Sequence, residues 1–330
     1  MFKLTSCLVV VGLCAVPAAA QSFYIPSNTP AAGTCNVIPF GQSIGSPTWQ
    51  NQRYQQMVLT TAMPNTVVGN ICAIAFAPCG TGPRKFDEIE IKLGQTAAST
   101  LDPTFANNMV TNVQTVLKAK NYVWHNTANE WNRIGLDTSY LYLSTNGNLV
   151  IEVTVIGAGF SNPGAGFHRD TLQRLYAFGW VGPPPATGTV GNAALKIEIA
   201  FGMADLSTFG ASCGPDLSLS GSSKLGDTFD VNLSGATATN VYFHVLALNR
   251  YTPGGIDMSI MGAPGCTLYQ PVTFLLGGIT DASGTAKESF TVPNQSALVC
   301  VRLYSQMFSS TTTNNFGLLG TNYGRILIGN

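Results

Sequence analysis

Charge is what this chain has least of. Lys, Arg, Asp and Glu make up 10% of the 330 residues and cancel to a formal net charge of zero. Typical globular proteins carry about 25% charged residues. A surface that grips nucleic acid needs a basic face, so nucleic-acid binding is excluded as a function class. Histidines number three, and no Cys-x-x-Cys spacing occurs, which leaves no zinc signature. Beyond the first twenty residues no run reaches 18 apolar residues, so no membrane-spanning helix is expected. Helical periodicity is scarce as well. The best stretch, TWQNQRYQQMVLTTAM (Thr48 to Met63), predicts one or two helical turns. TFANNMVTNVQTVLKAK is ambiguous, because β-branched residues weaken a helix.

What is present begins with a leader. MFKLTSCLVVVGLCAVPAAA has Lys3, an apolar run from Leu8 to Val16, and small residues at Ala18 and Ala20. That order predicts a signal peptide over residues 1–20, with the exported chain starting at Gln21. Leu13 before Cys14 is the wrong residue for a lipid-anchor site. Hydrophobic content of 45% supplies ample core for the remaining residues. Six cysteines follow the leader, and export permits disulfides. Cys72 and Cys79 bracket CAIAFAPC. As a strand, that run holds their sulfurs about 20 Å apart, so they are not expected to pair. Cys213 and Cys266 sit beside turn residues in SCGP and PGC and are expected to pair. Cys35 is expected to pair with Cys79, at a strand end, in preference to Cys72. Cys300 lies in a strand and either stays free or reaches the other domain.

Alternation of apolar and polar residues recurs along the chain, the signal of half-buried strands. In DEIEIKLG, Ile89, Ile91 and Leu93 oppose Glu88, Glu90 and Lys92. NLVIEVTVIG, LKIEIAFG and DTFDVNLSG repeat the pattern, while NVYFHVLAL and LVCVRLYSQMF are apolar on both faces, as central strands are. FGLLGTNYGRILIG reads as a closing hairpin. Many short strands separated by Gly and Pro turns predict an all-β protein. The expected architecture is two β-sandwich domains after a cleaved signal peptide. A jelly-roll-like N-terminal domain covers residues 21–206, and an immunoglobulin-like C-terminal domain covers residues 207–330. The join is placed where alternation stops, between Gly202 and Pro215, rather than in the Pro-rich stretch from Gly182 to Asn192.

Few motifs carry chemistry. GQSIG, residues 41–45, fits the G-x-S-x-G nucleophile elbow. Pro39 and Pro47 flank it and no crossover helix follows, so Ser43 reads as a loop residue and no catalytic residue is assigned. His244 reads as a packed strand residue, and His125 and His168 as loop residues. Glu88, Glu90, Glu152 and Glu198 read as solvated sheet-face carboxylates. The richest span is NYVWHNTANEWNRIGL, where Trp124, His125, Asn129, Trp131 and Asn132 form a candidate sugar-stacking and hydrogen-bonding set. The competing reading makes Trp124 and Trp131 plugs at the ends of the sandwich; at least one of the two is expected to be structural, Trp131 in its EWNRIGL strand ahead of Trp124.

SFYIPSNTPAAGTCNVIPFG, NQRYQQMV, ICAIAFAPCGTGPRKFDEIEIKLG, YVWHNTANEWNRIGL and GNLVIEVTV together resemble a family of uncharacterised exported proteins numerous in planctomycete-type bacteria. CGPDLSLSGSSKLGDTFDVNLSGA and GAPGCTLYQP resemble a tail domain shared by many exported proteins of those bacteria. The resemblance implies fold and export, and no catalytic residues. The expectation is a secreted or envelope-associated structural or binding protein, without cofactor or metal, that meets glycans or other surface proteins. The alternative is an extracellular hydrolase acting on polysaccharide.

Overall fold

The computed structural model describes residues 20–41, 47–63, 68–160 and 166–330. The expected leader up to Ala19 and the GQSIG serine, Ser43, lie outside the described residues. Among those described, there is no α-helix: the elements are strands and 3-10 turns of three or four residues. The protein is all-β, and its strands pair antiparallel into layered sandwiches.

The alternating segments supply the first core. Ile89, Ile91 and Leu93 on Gly82–Thr96, and Leu149, Ile151, Val153 and Val155 on Asn148–Ile156, are almost fully buried. They face Ile71, Ile74 and Phe76 on Val68–Phe76, and Ile197, Ile199 and Phe201 on Ile197–Phe201. Each such side chain contributes about 1.5–3 kcal/mol by leaving water. One sheet of this sandwich runs Gln21–Ile25, Ile197–Phe201, Val68–Phe76, Asn132–Arg133, with Tyr140–Leu143 also pairing to Val68–Phe76. The other is the start of a much larger sheet: Thr189–Gly191, Arg174–Phe178, Gln52–Val58, Asn148–Ile156, Gly82–Thr96, Thr111–Asn126.

Thr48 to Met63, expected as helix, contains the strand Gln52–Val58 between two 3-10 turns. Both faces of this strand are buried, and three glutamines go inside with it. Each finds a partner. Gln52 Nε2 donates to Trp49 O (2.6 Å), and Gln55 Nε2 to Glu152 Oε2 (2.6 Å) and Phe105 O (2.9 Å). Gln56 Nε2 donates to Leu195 O (2.8 Å). Buried polar groups are tolerated when bonded in this way, and polar letters in a central strand imitate an amphipathic helix.

The large sheet does not stop at the first sandwich. Asp205–Phe209, inside the stretch expected as the join, pairs with Thr111–Asn126 through Phe209 opposite Trp124 and with Leu318–Leu327 along its whole length. Gly135 permits this approach: it holds a φ of +76°, and a Cβ there would come 2.6 Å from the Phe209 ring. From Leu318–Leu327 the sheet continues through Arg302–Ser310 and Val241–Ala247 to Phe274–Ile279. A three-stranded sheet, Asp216–Gly221, Thr228–Ser234 and Ala286–Thr291, covers this half. Leu217, Phe229, Val231 and Leu233 then pack against Tyr242, Met307 and Ile326. The closing segment is one long strand, Leu318–Leu327, that forms a hairpin with Arg302–Ser310.

Three disulfides staple the layers: Cys35–Cys79, Cys213–Cys266 and Cys72–Cys300. The last links residues 228 positions apart, one in each half. Arg250 fixes the same boundary with a two-pronged contact to Asp137, Nε at 2.6 Å and Nη2 at 2.7 Å. Arg302 adds bonds to Leu136 O (2.8 Å) and Cys72 O (2.9 Å).

Candidate functional site

The Trp124–Trp131 segment is the end of Thr111–Asn126 and the turn that leads into Asn132–Arg133. It borders a groove of about 280 Å³ where the strand Asp205–Phe209 meets Thr111–Asn126. His125, Thr127, Trp131, Asn132, Ser207 and Thr208 line the groove, and the buried Trp124 and Phe209 form its floor.

Within the candidate set the residues divide. Trp124 is 1% exposed. It stacks on Phe167 (5.4 Å, 17° between planes) and meets Phe40 and Phe76 edge-on. It is a core residue with no face for a sugar. The expectation that at least one of the two is structural is met by Trp124 rather than by Trp131, which is half-buried and lies against Tyr24 at 5.3 Å. Trp131 precedes the two-residue strand Asn132–Arg133 and lines the groove with its indole Nε1 buried. Asn132 spends its amide on the turn. Its Oδ1 accepts from Thr127 N (2.7 Å), and its Nδ2 donates to Thr127 O (2.8 Å) and Glu130 O (2.9 Å). Asn129, at a φ of +63°, turns away and engages His168 Nε2 at 2.9 Å. His125 is exposed, with Nε2 3.2 Å from Gly210 O. His125 and His168 stand in strands, not loops, with separate partners, and His168 does not line the groove.

Sequence alternation missed the ions. Glu152 and Glu198, expected on solvated faces, are both 4% exposed, because the loop around Phe105 closes over the Glu152 face and Arg133 and Ser22 close over Glu198. Beside the groove, Arg133 bridges Glu198 (3.2 Å) and Asp205 (3.5 Å), and Arg325 reaches Asp205 at 3.3 Å. Ser22 Oγ donates to Glu198 (2.6 Å), and Ser207 Oγ to Asp205 (2.5 Å). Burial opposes the Arg133 charge, yet Asp205 and Glu198 more than offset it and its pKa is raised. A glycosidase pair needs one carboxyl to hand over a proton and another to face the sugar. Here both are committed to arginines and hydroxyls, so the cluster is a structural ion network at the groove wall.

Two other clusters bear on chemistry. Cys35, Cys79 and His168 bring three ligand-type atoms within 4.8 Å of one another, but the two sulfurs are joined to each other, which leaves one imidazole. His244 Nδ1 lies 2.6 Å from Glu288 Oε2, and its Nε2 2.7 Å from Ser305 Oγ. With the proton on Nδ1, the imidazole donates to Glu288 and accepts from Ser305, the order of an acid–His–Ser relay. Both His244 and Ser305 are 0% exposed between the layers of the second sandwich. A polymer has no route to that hydroxyl, so the arrangement satisfies polar groups in a core.

No family model matches this chain, and no curated protein matches it. A solved structure described as a T=1 Penaeus vannamei nodavirus is similar to it over 86% of this chain and 84% of that chain. The identity is 9% and the TM-score 0.16, a superposition too poor to argue from.

Proposed function

We propose that this protein is an extracytoplasmic binding protein, not a catalyst, and that the groove beside Trp131 takes a neutral, hydroxylated ligand of the glycan class. The observation that carries this is the division of labour in the groove. Its charges are paired to one another, while the other groups that line it are an imidazole, hydroxyls and the half-buried Trp131 indole. Apolar C–H faces of a sugar stack on aromatic surface, and hydroxyls exchange hydrogen bonds with such uncharged groups. The three disulfides fit an oxidising compartment, and no helix among the described residues is long and apolar enough to cross a membrane. A glycan array followed by retention on insoluble polysaccharide tests the reading. Trp131→Ala and His125→Ala are expected to lose retention with melting temperature nearly unchanged. Unaltered retention in both variants, or no glycan retained by the parent protein, overturns it.

A further inference from the structure

The large sheet ends on Phe274–Ile279, sequence FLLGGI. One side of this strand pairs with Val241–Ala247, with Leu276 opposite His244. Among the described residues no strand pairs with its other side. Natural edge strands are guarded by charges, prolines, bulges or covering loops, because their free N–H and C=O groups template further pairing. Among the described residues this one shows none of those guards. Residues 272–280 contain neither a charge nor a proline. Phe274 and Leu275 are each 57% exposed, Leu276 43% and Ile279 67%. Exposure alternates on neither face, so the strand projects beyond the covering sheet and shows apolar surface above and below.

We infer that this edge is a self-association surface: a second copy of the chain adds its own Phe274–Ile279 antiparallel to it, about a twofold axis at Leu276. The sequence of the strand is what selects a copy of itself. A twofold that joins two sheet edges stands perpendicular to the sheet and keeps each side chain on its own face. Residues that meet therefore share parity. Centred on Leu276, Phe274 of one copy meets Gly278 of the other, Leu275 meets Gly277, and Leu276 meets Leu276. Each large side chain beside the axis lies over a glycine, and cross-strand neighbours of this kind are the units that stabilise a sheet. A charged peptide gains no complementary ion here, since the strand offers none.

The area agrees with a modest, reversible dimer. Edge-to-edge pairing leaves both faces of the sheet open, so the four large side chains of each copy bury only the flanks of their exposed area, and the paired backbones supply much of the contact. The contact falls below the roughly 1,000–1,200 Å² of standard specific interfaces, in the range of weak, reversible association. An isologous closed pair also caps the edge, so growth stops at two.

The register makes the inference testable. Directly opposed Cα atoms in an antiparallel pair lie about 4.5–5.5 Å apart, within the range a disulfide spans. Diagonal neighbours lie about 7–8 Å apart, beyond it. With the native disulfides formed, Leu276→Cys is expected to cross-link to itself under mild oxidation and Leu275→Cys is not. Light scattering on the parent protein across a concentration series is expected to show the mass doubling, and Leu276→Lys to hold it at the monomer value with an unchanged melting temperature. The cysteine pair still reads the contact if the lysine variant fails to fold. A parent protein that stays monomeric at high micromolar concentration overturns the inference. Cross-linking of Leu275→Cys as fast as Leu276→Cys overturns the register and with it the argument for self-pairing.

Discussion

Trp124 and Trp131 are seven positions apart in one polar segment and do opposite things. The difference lies in what stands across from each. Trp124 is opposed by Phe209 and roofed by Phe167, Phe40 and Phe76, whereas among the described residues Trp131 meets one ring, Tyr24. Trp124→Ala is expected to cost about 3–5 kcal/mol of stability, read as a large fall in denaturation midpoint. Trp131→Ala is expected to cost much less and to show its effect in ligand retention. Neither neighbourhood is written in NYVWHNTANEWNRIGL itself, since the partners come from residues 24, 40, 76, 167 and 209. The same holds for Glu152 and Glu198. Their alternation correctly places them opposite the apolar face, and says nothing about the Phe105 loop that covers one and the Arg133 and Ser22 side chains that cover the other.

At the level of strands the sequence speaks more clearly. Ile89, Ile91 and Leu93, or Phe229, Val231 and Leu233, fall on buried faces because a period of two admits no other arrangement in a one-sided sheet. Gln52–Val58 escapes the pattern because it is central, buried on both faces, and uses glutamine amides as internal hydrogen-bond donors. The strand Asp205–Phe209 escapes it too, with four half-buried residues before Phe209, so a strand crossing between the halves reads as a linker. Cys300, expected within a strand, stands instead in a turn at a φ of +67°, just before the strand Arg302–Ser310 begins. Cys213 and Cys266 flank turn residues and pair, whereas the partner of Cys72 depends on tertiary structure. Replacing both Cys213 and Cys266 by Ala opens a closed loop with a sequence separation of 53. The chain-entropy relation gives a loss of about 4 kcal/mol, expected as a lowered urea midpoint with the groove's ligand retention intact.

The whole molecule carries a pH dependence whose sign is fixed by two histidines. Burial lowers the pKa of His244, against the opposing pull of Glu288. Burial also lowers that of His168, with the Gly33 carbonyl opposing and Lys196 assisting. Both are depressed below about 6.5, so the unfolded chain takes up protons that the folded one refuses. The stability of the neutral form is complete above about 6.5 and drains away as pH falls through that value. A second loss follows below about 4, where Asp102, Asp230, Asp257 and Asp281 give up the hydrogen bonds that hold their pKa values down. Melting temperature is therefore expected to fall from pH 7.5 to 5.5, and to fall less in a His244→Leu variant. A flat profile in the parent protein would contradict this assignment. The Cys72–Cys300 bridge acts on another hazard, cleavage of the chain. It closes a covalent ring over more than two-thirds of the chain, and the folds on either side of it share one sheet. A single cut at any peptide bond between Val241 and Phe274, or in the Pro-rich stretch near residue 184, leaves both pieces tied together. Damage at one loop then changes the number of chain ends without shedding a fragment, and the molecule outlives its first wound.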